Sequence, residues 1–235
     1  MFTNQFIAFG LTLIIALTWL RINDFFAHKG WISSRISRKI IHIGTGPIFV
    51  LCWLFFKESR FSPFLAAIIP FGITLQFGLI GLGILKDPST VDALSRSGDR
   101  REILLGPLFY GMVFVLLTIL FWRRSPTGIV ALMIMCGGDG LADIVGMKVG
   151  GYKLPWSSKK TLIGSLSMLL GGFSLSIFIL WVFITRGYFL LSISHYILPV
   201  GLIAITTTLV ESFPFRDIDN LTVPLTAIII GMFVF

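Results

Sequence analysis

Phe49-Val-Leu-Cys-Trp-Leu-Phe-Phe56 is a run of eight residues with no charge and no turn former, and the stretch Ile43–Ile48 before it carries no charge either. Such a run has two outlets: the core of a soluble domain or a lipid bilayer. Composition decides between them. Apolar residues make up 55% of the 235-residue chain and charged residues 13%, and mean hydropathy is +0.92. A soluble domain carries about 25% charged residues, so half of that leaves too little polar surface to face water. In lipid every backbone N–H and C=O must be paired within the protein, which leaves helices or a closed barrel. Barrel strands alternate apolar and polar side chains over about ten residues. The runs here are long and continuous, so helices are expected.

At about 20 apolar residues per crossing, the pattern places spans at 3–20, 40–56, 61–85, 103–122, 127–147, 161–185, 188–210 and 221–235. The last is short. The expected architecture is all-α: a polytopic membrane bundle of about seven or eight helices, forming a single domain over 1–235. Phe6–Leu20 is read as an anchor rather than a cleaved leader, because no small-residue cleavage pattern follows it. Cys52 and Cys136 fall in apolar runs, as packing residues would.

Fourteen of the nineteen Lys and Arg residues fall in alternate connections: around Arg21–Lys39, Lys86–Arg101, Lys148–Lys160 and Arg216. The positive-inside rule puts these loops in the cytoplasm. The expected setting is a bacterial cytoplasmic or a thylakoid membrane, with the site on the cytoplasmic side. The net charge of +8 is then a topology signal with some attraction for anionic lipid. Nucleic acid is not an expected partner, since the basic residues are dispersed over several loops. Acidic residues gather on the same side, from Asp24 to Asp219, with Glu58 alone on the other. Acidic residues contribute little to orientation, so this grouping calls for another cause, such as a site for metal and phosphate.

Cys136-Gly-Gly-Asp-Gly-Leu-Ala-Asp-Ile-Val-Gly146 is the richest stretch. Asp139 and Asp143 are four apart, one turn along a helix face. Two carboxylates at a membrane edge repel unless a cation lies between them. Mg2+ takes one or two carboxylates plus phosphate oxygens and waters, which makes the pair a candidate metal site. Gly137, Gly138 and Gly140 are expected to leave the backbone open to a nucleotide. Lys159-Lys160-Thr-Leu-Ile-Gly-Ser165 follows. Its two ammonium groups either flank a span or clamp phosphate, with Thr161, Gly164 and Ser165 opening the next helix as an anion site. Lys153 lies between the two segments, where Gly150, Gly151 and Pro155 are expected to shape a compact loop. Neither the P-loop spacing nor a Gly-rich protein-kinase loop occurs.

Several other residues are candidates with two readings each. Glu102 is a third metal ligand, a base, or a favourable acid in a first helical turn. His42, beside Arg38 and Lys39, contacts phosphate, orients a carboxylate, or packs as a partnered histidine. Asp219 and Asn220 are substrate-site groups or helix caps, and Glu211 ends a span on the same side.

The segments Asp139-x-x-Ala142-x-x-x-Gly146-x-x-x-Gly150 and Lys159-Lys160-Thr161-x-x-Gly164 resemble the CTP-binding motif of dolichol kinases. The fuller wording, with Lys153-Leu-Pro-Trp156 between them, is more similar to the phytol and farnesol kinases. Arg38-Lys-Ile-Ile-His42, Arg101–Tyr110, Glu211-Ser212 and Asp219–Pro224 extend the resemblance over about 38–224. Ile163 stands where dolichol kinases have Glu, which favours the phytol/farnesol branch. The resemblance implies CTP as phosphoryl donor, Mg2+, and a membrane-embedded prenyl alcohol as acceptor. The expected catalytic residues are Asp139, Asp143, Glu102 and Lys160, and Arg38, Lys39, His42, Arg101, Glu211, Asp219 and Asn220 are expected near substrate or phosphate. Two other activities remain open at this point: a cytidylyltransferase acting on a lipid phosphate, and a small-anion transporter. A transporter would hold its polar groups near the midplane, whereas here they fall toward one edge.

Overall fold

The computed structural model describes residues 4–95, 97–213 and 218–235. Arg96, Arg216 and Asp217, counted above among the charged loop residues, lie outside the described residues. The helices are α1 (Gln5–His28), α2 (Ser34–Cys52), α3 (Ser62–Leu82), α4 (Pro88–Leu94), α5 (Gly106–Leu120), α6 (Pro126–Met133), α7 (Gly140–Val149), α8 (Leu162–Thr185), α9 (Ser194–Ser212) and α10 (Asp219–Val234). A π-helical stretch, Ile134–Asp139, joins α6 to α7 as one continuous rod, and short 3-10 turns run over Trp53–Phe55 and Arg100–Leu104. Seven of these segments are long and apolar enough to cross a membrane, and α10 is shorter.

The rod Pro126–Val149 is the axis of the bundle. Ser125 caps its start and Pro126 occupies the first turn, where a missing N–H costs nothing. Every residue from Thr127 to Gly140 is buried, as expected of a helix that is apolar all round. Close neighbours need small residues on this axis. A Cβ on Gly137 would fall 2.5 Å from Leu175, and one on Gly138 would fall 3.2 Å from Met168. A Cβ on Gly140 would fall 2.3 Å from Ile43 of α2. These glycines therefore admit α8 and α2, and the space they leave is filled from within the protein. The expectation that Gly138 and Gly140 expose backbone to a nucleotide is corrected on this point: the sequence spacing suits either use, and packing has taken it.

Two other differences have simple causes. Helix α2 starts at Ser34, a turn and a half before the expected span, because Ser33 caps it and accepts from the Ile36 N–H. Arg38, Lys39 and His42 are therefore helical. The expected loop between Lys153 and Thr161 is a small antiparallel hairpin of β1 (Lys153–Leu154) and β2 (Ser157–Thr161). Trp156 pins it to α9 by an indole N–H donated to Ser212 Oγ at 3.1 Å, and its ring stacks on Phe213.

The two ends of the bundle differ. At one end Arg123 is 4% exposed. Its guanidinium donates to the carbonyls of Trp53 and Phe56 at 3.1 Å and to the Tyr188 hydroxyl at 2.7 Å, and it pairs with Glu58 at 2.9 Å. Trp122 lies under it at 5.0 Å. At the other end Arg38, Lys39, Lys159 and Lys160 gather around the polar groups described below. We predict that the two ends face opposite compartments. In a cysteine-free background, Lys153→Cys and Gly187→Cys should react with a membrane-impermeant thiol reagent from opposite sides. Labelling of both from one side of sealed vesicles would contradict the topology.

Candidate active site

Four elements bring their ends together. The π stretch ends on Asp139, which is 6% exposed. The last turn of α9 carries Glu211, 2% exposed, and α10 opens with Asp219. One carboxylate oxygen of each lies within 4.8 Å of the others. The strand β2 delivers Lys160, whose Nζ donates to Glu211 Oε1 and, at 3.3 Å, to Asp219 Oδ2. Burial pulls the Lys160 ammonium toward losing its proton. Glu211, Asp219 and Asp139 outweigh that pull and hold its pKa above the ordinary lysine value.

Asp143 lies one turn beyond Asp139 and pairs with Lys39 of α2. It is not among the three mutually close carboxylates. His42 Nε2 is 3.1 Å from the Met135 carbonyl, to which it donates, and 3.5 Å from Asp139 Oδ2. Asn220 donates to the Gly106 carbonyl at 2.9 Å and so ties α10 to α5. Thr161 caps α8 by accepting from the Gly164 N–H.

Two cavities adjoin this cluster. The larger, about 880 Å³, runs between α1, α2, α3 and α5. Most of its wall is apolar, including Ile41, Ile48, Phe49, Ile73 and Phe77, while Arg38, Lys39, His42, Glu102, Asp139, Asp143, Asp219 and Asn220 supply polar groups. The smaller, about 100 Å³, is lined by Asp143, Gly146, Lys159, Lys160, Thr161, Gly164, Ser165 and Glu211. Asp143 belongs to both.

The sequence candidates thus divide cleanly. Those named above as lining residues are brought together. Gly138 and Gly140 are held between helices. Lys153 and Arg101 are exposed and line neither cavity; the Arg101 backbone N–H is taken by Asp99. Glu102 accepts from Ser97 at 2.8 Å. Tyr110 is a site neighbour that sequence reasoning passed over. Its ring lies 4.4 Å from that of His42 and its hydroxyl donates to the His42 carbonyl at 2.8 Å. Its position at the end of the Arg101–Tyr110 motif was the available signal.

The donor set suits a hard divalent cation. Oxygen ligands of octahedral Mg2+ are about 2.9 Å apart when adjacent and about 4.2 Å apart when opposite, and both separations fall inside the 4.8 Å that contains the three carboxylate oxygens. Asp219 Oδ1 is buried with no hydrogen-bond partner in the structure, an acceptor left over for such an ion.

Comparison with known proteins gives this site its context. The chain is 42% identical over 227 residues to "Probable phytol kinase 3, chloroplastic" of Glycine max, covering 95% of this chain and 70% of that protein. It is 40% identical over 230 residues to "Probable phytol kinase 2, chloroplastic" of Oryza sativa subsp. japonica, covering 96% and 75%. It is 37% identical over 230 residues to "Farnesol kinase, chloroplastic" of Arabidopsis thaliana, covering 97% and 75%. No family model matches the chain, and no solved structure matches it. A multi-pass helical membrane protein with these relatives is a kinase that phosphorylates an alcohol. It belongs to the phytol and farnesol kinase family. The relatives are plant chloroplastic proteins and give no support to the expected bacterial cytoplasmic membrane.

The carboxylate cluster yields a stability prediction. Lys160→Gln removes the ammonium that faces Glu211 and Asp219, and breaking a buried pair in this way costs about 3–5 kcal/mol. The variant should unfold at lower temperature than the parent in detergent with chelator present. Mg2+ should restore more of the loss than Na+ at equal ionic strength. A variant as stable as the parent in chelator would refute the electrostatic role of Lys160.

Proposed function

We propose that this protein transfers the terminal phosphoryl group of CTP to the hydroxyl of a prenyl alcohol whose tail stays within the membrane. The observation that carries this reading is the position of the charged cluster between two unlike cavities. Asp139 and Asp219 face the large apolar cavity, and Lys160 and Glu211 face the small polar one. An amphipathic alcohol suits the first, with its hydroxyl among His42, Asp139 and Asp143. The second offers Lys159, Lys160, Thr161 and Ser165 to phosphates, and the Ser165 hydroxyl is buried with no partner in the structure.

The alcohol oxygen forms a bond to the γ-phosphorus of the nucleotide while the bond from that phosphorus to the β,γ-bridging oxygen breaks, and the nucleoside diphosphate departs carrying that oxygen. The alcohol proton passes to Asp143, which lines both cavities and pairs with Lys39. Asp139, Glu211 and Asp219 would hold Mg2+, which supplies positive charge to the transferring phosphoryl group when bound. Lys160 adds a cation that needs no recruitment. Positioning and preorganised charge do most of the work in such transfers. CTP, Mg2+ and the membrane-resident acceptor all belong to this proposal. So does a chloroplast membrane, thylakoid included, which the relatives favour over a bacterial one, with the site on the basic face.

A cytidylyltransferase would use the same nucleotide but keep its α-phosphorus, and this separates the two readings. With CTP labelled at the γ-position, radioactivity should enter the lipid product. With CTP labelled at the α-position it should remain in the soluble nucleotide. The opposite partition would establish cytidylyl transfer, and equal or better use of ATP would overturn the assignment of CTP. Residue changes test the site itself. A lost charged contact in a dry site costs about 2–4 kcal/mol of transition-state stabilisation, roughly a thirty- to thousand-fold fall in rate. Lys160→Gln should lower kcat/KM for CTP by that factor, Lys160→Arg by less, and the Lys159 variants least. Asp139→Asn and Asp219→Asn should raise the Mg2+ concentration required for half-maximal rate. Unchanged kinetics in both Asp variants would remove them from the metal site.

A further inference from the structure

The large cavity has a floor, and its depth can be counted along the helices. On α2 it runs from Ser37 to Cys52, and the part beyond His42, beside Asp139, spans ten residues or about 15 Å at the helical rise. On α5 it runs from Gly106, held by Asn220, to Phe114, about 12 Å. On α1 its lining runs from His28 to Thr12, about 24 Å, well past the level of the charged cluster. Counted from the charged cluster, α2 and α5 give similar depths, and Thr12 of α1 lies in hydrogen-bonding contact with Cys52 at the lower end. The stopping residues are Thr12, Phe49, Cys52, Ile69 and Phe114, each no more than 5% exposed.

This floor is backed by a stiff layer. The Phe49 ring lies 5.8 Å from Phe114 and 6.2 Å, edge-on, from Trp53. Trp53 lies 4.8 Å from Trp122, and Arg123 ties the carbonyls of Trp53 and Phe56 behind it. A tail that reaches the floor finds packed aromatic rings held by a buried guanidinium, not lipid.

We infer that the floor formed by Thr12, Phe49, Cys52, Ile69 and Phe114 measures the tail of the alcohol and sets the chain length that the enzyme accepts. This rests on the prenyl-alcohol reading above. An extended chain advances about 3.4 Å for every three backbone bonds. A depth of 12–15 Å then takes about eleven to thirteen bonds, the main chain of three isoprene units. A fourth unit has to bend along the floor, where the volume left by these five side chains decides its fit.

The experiment compares kcat/KM for alcohols of two, three and four isoprene units, with nucleotide saturating, in the parent and in two opposed variants. Cys52→Phe fills the floor. It should raise the ratio of two-unit to four-unit kcat/KM at least about tenfold. Phe49→Leu opens it and should move the same ratio the other way by at least about threefold. Because each result is a ratio within one protein sample, partial loss of folded enzyme does not imitate it. If Cys52→Phe cannot be purified folded, Phe49→Leu with Thr12→Leu as the filling variant decides. Parental ratios in the variants, with the parent active on prenyl alcohols, overturn the floor and leave the kinase reading standing. A parent inactive on every prenyl alcohol with every nucleotide overturns the reading of the cavity and the floor with it.

Discussion

Lys160 and the carboxylates of Asp139, Glu211 and Asp219 meet where four elements end, and the functional half of the bundle depends on that meeting. Two carboxylates within 4.8 Å of each other repel by at least roughly 3 kcal/mol at an effective dielectric near 20. Three such groups on separate elements would push the π stretch, α9 and α10 apart. The lysine reverses the sign of the arrangement, since its ammonium reaches Glu211 and Asp219 together. The hairpin that delivers it is secured in turn by Trp156 on α9 and by Thr161 at the start of α8. Remove the cation, and the attraction that closes this end of the molecule becomes repulsion.

The remainder of the fold gives the cluster a fixed place. A central rod buried on every side cannot slide without disturbing all its neighbours, and its glycines bring α2 and α8 close enough to lock it. The π stretch carries Asp139 at its end, and π-bulges recur at functional sites because they re-aim side chains within a helix. Tyr110 and His42 fill the space beside that carboxylate. At the far end the Arg123 knot holds the aromatic layer that closes the large cavity. The protein thus has a charged end for chemistry and a rigid end for enclosure, with an apolar chamber between them.

Much of this was legible in the sequence. Runs of about twenty apolar residues have one stable outcome in lipid, so spans such as 61–85 and 161–185 correspond to α3 and α8. The richness of Cys136–Gly146 and Lys159–Ser165 marked the two segments that line the small cavity. Other features depended on distance in space. The grouping of Asp139 with Glu211 and Asp219, rather than with Asp143, brings together residues some seventy to eighty positions apart, and no local spacing encodes it. Helical spacing did place Asp143 one turn away, but Lys39 of α2 had already claimed it. The glycines of Gly137–Gly140 were ambiguous because a helix that admits a neighbour and a backbone that admits a nucleotide need the same missing side chain. In the sequence nothing distinguishes Arg123 from its neighbour Arg124, and its burial is explained by partners far along the chain, the carbonyls of Trp53 and Phe56 and the Tyr188 hydroxyl.

The central claim is that both substrates are held at once on either side of one charged cluster, so that the phosphoryl group passes directly between them. Direct transfer inverts the configuration at phosphorus. Transfer through a phosphorylated side chain takes two inversions and restores it. The decisive measurement is the configuration of the prenyl monophosphate made from CTP whose γ-phosphorus is chiral by sulfur and oxygen isotope substitution. Inversion is the result predicted here. Retention would show that the group rests on the protein between two separate displacements, and would contradict a shared site for both substrates.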